Sequence, residues 1–269
     1  MPITCTTVPI DADSTGDRWH ITDENELARL VGLVARCEFG HVETILNGNT
    51  AGAITYDAAQ EAEIKQKALN ALTIPVDVAT GKEVRGTAKW HRDGFLFEAI
   101  SWIAARKSAP QEALLRDPHI GATTQGLDGL MIELNAAKDD ISATTVFEDK
   151  CTENARHTFA YVTMPALKAH QVSSRKILES ATTLLRQEFK AGILNAMAAK
   201  AISMNVRKYR SSLTILPAED SQPERVRIFK GYSGLSGLTQ AARLGCTLLT
   251  GNDIHDWFES FNQKVINSL

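Results

Sequence analysis

The chain has 269 residues, 43% hydrophobic and 23% charged, long enough for one large domain or two small ones around a sizeable core and ordinary for a globular protein. No apolar run approaches roughly 18 residues, so no membrane-spanning helix is expected. The formal net charge of −3 excludes little because it is lopsided: Lys150 to Arg210 holds six Lys and five Arg against three Glu, a local +8 that leaves −11 for the rest.

The start, Met1-Pro2-Ile3-Thr4-Cys5, has no basic segment followed by an apolar stretch, so no secretory leader is expected. Cys5, Cys37, Cys151 and Cys246 are scattered without paired spacing. That pattern fits reduced thiols in a cytoplasm better than a disulfide framework or a zinc knuckle.

In chain order, residues 1–20 carry little periodicity. Thr22 or Asp23 caps a predicted helix over 24–39, whose apolar face is Leu27, Leu30, Val31, Val34 and Ala35, with Gly40 as a stop. A second helix is expected over 56–72, then short strands between 73 and 91 around Gly81-Lys82. Residues 1–90 are read as a mostly helical accessory region and 91–269 as the main domain. Asp93 opens an amphipathic helix over 94–107, with Phe95, Phe97, Ile100, Trp102 and Ile103 on its apolar side and Glu98 within it. A short strand is expected over 119–125, then a hairpin of 127–134 and 144–150 around the polar turn 135–141. A largely helical stretch runs to Val206, broken near Pro165. Strands are predicted over 209–216 and 225–232, a loop over 231–237, a helix after it, and an amphipathic helix over 254–269. No internal repeat or low-complexity linker is present.

The hairpin carries the chemistry. Side chains alternate faces along a strand, so Glu148 and Lys150 point one way and Asp149 the other, while Asp128 opens the partner strand. Two carboxylates can hold a divalent cation, and a nearby ammonium can orient or deprotonate a water. The basic stretch directly behind suits a polyanion. Each piece has a plainer reading: Asp128-Gly129 as a turn, Glu148 and Lys150 as a surface pair on an edge strand, the basic residues as a solvated helical face. Other motifs fail. His91-Arg92-Asp93 lacks every companion of a kinase catalytic loop, Gly81-Lys82 is not a P-loop, 231–237 never satisfies G-x-S-x-G, and Cys37 with His41 lacks further zinc ligands.

The order from Asp93, helix, strand, strand, strand, helix, strand, with Gly126-Leu127-Asp128-Gly129 opening the second strand and Glu148-Asp149-Lys150 closing the third, resembles the PD-(D/E)XK nuclease superfamily. The resemblance spans Asp93 to Leu216. One marker departs, since Leu127 stands where the motif has Pro. The resemblance implies an α/β (α+β) fold with a mixed sheet flanked by helices, and a Mg²⁺-dependent (or Mn²⁺-dependent) deoxyribonuclease. It implies Asp128 and Glu148 as metal ligands, Lys150 as the residue that positions the attacking water or stabilises the pentavalent phosphate, and Glu98 as a further ligand from the first helix. Arg156, just beyond the hairpin, is the candidate for phosphate binding. The GxDG-like form is similar to that of effector nucleases of bacterial anti-phage defence, whether restriction-type, CBASS-type or Hachiman-type. No ATPase motif is present, so unwinding, translocation or sensing would need a partner such as a helicase/ATPase or a sensor protein. Oligomeric state stays open. The alternative is a catalytically silent nucleic-acid-binding or scaffold subunit that uses the Ala- and Leu-rich helices after residue 157 as an interface.

Overall fold

The computed structural model describes residues 2–50, 52, 54–74, 88–119 and 126–269. The strands expected between 73 and 91, and most of the one expected over 119–125, lie outside the described residues.

The first twenty-one residues form a hairpin, β1 (Ile3–Pro9) paired antiparallel with β2 (Thr15–Ile21). Helix α1 (Glu24–Ala35) starts where the Asp23 side chain accepts from the Glu26 backbone N–H, and buries the expected face through Leu27, Leu30, Val31, Val34 and Ala35. It ends before Phe39 because Cys37 takes a left-handed φ of 61°, and α2 (Phe39–Leu46) restarts beyond it. Helix α3 (Ala58–Leu72) is closed by a reciprocal cap between Asp57 and Gln60. Helix α4 (Ala88–Ser108) begins ahead of Asp93, so Asp93 is not its cap; it is a fully buried side chain inside the helix.

A two-residue strand, β3 (Leu114–Leu115), precedes the expected hairpin of β4 (Gly129–Leu134) and β5 (Ile141–Lys150), antiparallel in register Gly129 to Phe147. Then come α5 (Ala155–Thr158), one π turn over Phe159–Thr163, α6 (Met164–Val172), α7 (Arg175–Leu185) and α8 (Ala191–Ala201). The break expected near Pro165 is that π turn: a residue without an N–H cannot continue the ordinary ladder, and Met164 N–H reaches back to Phe159 O. Strand β6 (Arg207–Ile215) follows.

Two expectations fail here. The strand predicted over 225–232 is the short helix α9 (Gln222–Ile228), started by Ser221 accepting from Glu224 N–H with Pro223 in the first turn. The helix predicted after Gly237 is instead strand β7 (Arg243–Leu249), an interior strand buried along most of its length, whose pattern lacks the period of two. Helix α10 (Ile254–Ser268) ends the chain as expected.

Among the described residues seven strands form one mixed sheet in the order β1-β2-β7-β6-β5-β4-β3, and the fold is α/β. The pairs β2–β7, β7–β6 and β6–β5 are parallel, the others antiparallel. Residues 3–21 therefore share a sheet with the hairpin of Asp128 and Lys150. One face carries α1, α4 and α10 over Trp19, Phe147 and Leu248; the other carries α5 through α9 over Leu130, Val146, Tyr209 and Leu213. β5 lies inside the sheet, so its alternation sends Phe147 and Asp149 to the α4 side and Val146, Glu148 and Lys150 to the other.

Candidate active site

Asp128 enters β4 between two anchors. Leu127 is fully buried in the second core, with its carbonyl accepting from Arg116. Gly129 lies where a Cβ would come 2.5 Å from the ring of Phe147, so the close approach of the strands requires glycine there. The Asp128 carboxylate is thereby brought to the end of β5, where Oδ2 accepts the Asp149 backbone N–H at 2.8 Å and the Lys150 ammonium at 2.6 Å. The same ammonium lies 2.8 Å from Glu148 Oε1. The three residues singled out in the sequence thus meet at one nitrogen.

Glu148 is 6% exposed. Burial, with the negative charge of Asp128 second, pushes its carboxyl up to about 7. For Lys150, burial disfavours the ammonium, but Asp128 and Glu148 outweigh it and hold the group above the ordinary lysine value. In this arrangement Lys150 stays protonated, so it can orient a water or neutralise charge but cannot take a proton.

Glu98 of α4 lines the same cleft as Asp128 and Lys150, a hollow of about 280 Å³. Its Oε1 accepts from the backbone N–H of His119 at 2.8 Å and lies 3.2 Å from that imidazole. Burial raises the Glu98 carboxyl above its usual range, and Asp128 adds to the rise. His170 of α6 stands 3.9 Å from Glu148 on the opposite side. Asp149 turns away, as alternation requires: Ser101 Oγ donates to it at 2.5 Å and Arg210 pairs with it at 3.3 Å, with Phe147 stacked on that guanidinium at 3.5 Å. Glu133 is likewise structural, paired with Lys208.

Arg156 does not join the cluster. Its guanidinium donates to the carbonyls of Ile228 and Lys230 and anchors the end of α9. Asn154 caps α5 by accepting from His157 N–H. The basic stretch is also partly spent inside the fold: Arg207 and Arg210 are buried, and Arg175, Lys200 and Lys208 pair with Glu179, Asp140 and Glu133. Lys168, Lys176, Arg186 and Lys190 remain exposed, and Lys176 lies near enough to help depress the pKa of His170, behind the larger effect of burial. His119, His170 and Trp90 were not legible as site neighbours, since no spacing in the sequence links them to residues 128–150.

Among the described residues no three His, Cys, Asp or Glu side chains form a ready cage for a metal. The two carboxylates still suit Mg²⁺, which binds through one or two carboxylates and keeps several waters. Their oxygens already contact one cationic atom, the Lys150 nitrogen, which must yield that place to a metal. No protein-family model matches the chain, and no curated protein is significantly similar to it in sequence.

Proposed function

We propose that the protein is a Mg²⁺-dependent deoxyribonuclease of the PD-(D/E)XK type, acting through Asp128, Glu148 and Lys150. One observation carries the reading: residues 20 apart in the chain deliver two carboxylates and an ammonium to one point at the end of an interior strand, beside an open cleft. A plain surface ion pair would be exposed and on an edge; this one is buried on the Glu148 side and interior to the sheet. Mn²⁺ would be expected to substitute for Mg²⁺.

When bound, the metal would act as a Lewis acid on a phosphoryl oxygen. The chain's own groups do the rest. Asp128 and Glu148 hold the cation, and Lys150, freed from them, places its charge beside the attacking water and the developing negative charge. Glu98, fixed by His119, completes the acidic wall. Lys176, exposed and near His170, lies on the flank where a sugar-phosphate backbone would pass. A role as effector in bacterial anti-phage defence, with a helicase/ATPase or sensor as partner, rests on the sequence resemblance alone.

The test is plasmid degradation by the purified protein with Mg²⁺, compared with EDTA and with Asp128→Ala and Lys150→Ala. Loss of cutting in all three supports the assignment; cutting that persists sinks it. The Lys150 ammonium seated between both carboxylates favours a second reading, a silent nucleic-acid-binding subunit. That reading predicts salt-sensitive retention of DNA without turnover.

A further inference from the structure

We propose that the cleft beside Asp128 and Lys150 seats one unstacked nucleobase, with Trp90 as its stacking surface and Gly94 as the opening, so that the strand bound for cutting is single-stranded DNA. This rests on the nuclease reading for its substrate and deepens it. Trp90, Gly94 and Glu98 are successive i, i+4 positions of α4, hence on one face, and all three line the cleft together with Asp128 and Lys150.

Gly94 is the telling residue. It sits inside a 21-residue helix, where glycine is among the least favourable residues. Among the described residues a Cβ there would meet nothing within 4 Å, so none of them demands its small size. Gly32 of α1 contrasts with it, since a Cβ there would come 2.8 Å from Ser268 Oγ. Gly40 and Gly192 are also open but lie in the first turns of α2 and α8. What Gly94 preserves is the part of the cleft between Trp90 and Glu98.

Trp90 borders that space with 41% of its surface exposed, while Trp102 of the same helix is 3% exposed. The ring is braced from behind. It packs at 82° against the imidazole of His255, centroids 4.1 Å apart. His255 Nδ1 is 2.5 Å from Asp93 Oδ2, and Asp93 Oδ1 accepts from Arg92 at 2.7 and 2.9 Å. These three side chains are buried. A stiff exposed indole can stack a base with little ordering cost. The volume of about 280 Å³ lies below the span of drug-sized pockets, roughly 300–1,000 Å³. It suits one base rather than a base pair, so a duplex would have to splay to enter.

The experiment measures binding of a fluorescent oligothymidylate and of its duplex by anisotropy in EDTA, for the full chain and for Trp90→Ala, Trp90→Phe and Gly94→Leu. We expect the single strand to bind more tightly than the duplex. Trp90→Ala should weaken single-strand binding about tenfold, and Trp90→Phe should recover most of it. Gly94→Leu should weaken it comparably while its melting temperature holds or rises, which separates blocking from misfolding. Wild-type preference for duplex, or both Trp90→Ala and Gly94→Leu binding as wild type, overturns the inference. A cutting assay with Mg²⁺ separates the two readings. Trp90-dependent binding without any cutting keeps the base seat and removes the nuclease. Duplex cutting indifferent to both substitutions keeps the nuclease and removes the seat.

Discussion

Glu148 carries a carboxyl whose burial, reinforced by Asp128, lifts it from 4.5 to about 7 in the folded chain. Between those values the folded state keeps a proton that the unfolded chain has lost, so in the metal-free protein the contribution of Glu148 to stability is fully present below the window and is lost as pH rises through it. Glu148→Gln should flatten that slope in thermal melts taken across the window. A cation needs the carboxylate, so Mg²⁺ affinity should rise as pH passes upward through about 7, with proton release visible by calorimetry in buffers of different ionisation heat; a pH-independent affinity would count against Glu148 as a ligand. Lys150→Ala should divide the two roles of the site. It removes the ammonium that competes for the carboxylates, so Mg²⁺ binding should hold or tighten, while cutting falls about a hundredfold or more. Weakened metal binding in that variant would make Lys150 a structural pair instead.

At the scale of elements, β4 and β5 position the site through one tight contact. A methyl on Gly129 would press on Phe147, which is 2% exposed and sandwiched against Arg210, so the ring has little room to give. Gly129→Ala should destabilise by about 1–3 kcal/mol, at roughly 2–4 °C per kcal/mol for a chain of this size class, read by differential scanning calorimetry. The helical segment that follows tests the electrostatics separately. Lys176 is exposed at the start of α7, so Lys176→Ala should weaken DNA binding uniformly across sequences and lower the salt slope by about 1. An unchanged salt slope would place the nucleic-acid track elsewhere.

For the whole molecule, the sheet joins both ends of the chain. β2 pairs with β7, α1 packs along α10 and α4, and Trp19 is 1% exposed beneath Phe97 and Arg210. Arg18 of β2 also pairs with Asp220, which holds Arg225 of α9. A fragment of residues 91–269 would expose the apolar side of α4 and leave β7 without β2, making it an edge strand. Expressed alone it should show no cooperative urea transition, whereas the full chain should. Trp19→Ala in the full chain should cost about 3–5 kcal/mol.

Local signals were legible wherever neighbours in sequence decide the outcome. The Asp23 cap, the apolar stripe of α1, the hairpin around residues 135–141 and the amphipathic C-terminal helix each follow from capping chemistry or from a period that adjacent residues set. The shared face of Glu148 and Lys150 follows the same way, from alternation alone. The edge hairpin β1–β2 and the interior strand β7 were not legible, because one is half-solvated with weak alternation and the other is buried along most of its length with no period of two. Their strand form depends on each other across more than two hundred residues. In the site, Asp128, Glu148 and Lys150 could be picked out as a trio by residue type and spacing, as the notable feature of the sequence. Only the tertiary structure set the Lys150 nitrogen between the two carboxylates, tied Glu98 to His119, withdrew Arg156 to the end of α9 and opened the cleft over Gly94. Those contacts form between elements, where packing rather than the order of residues fixes which side chains meet.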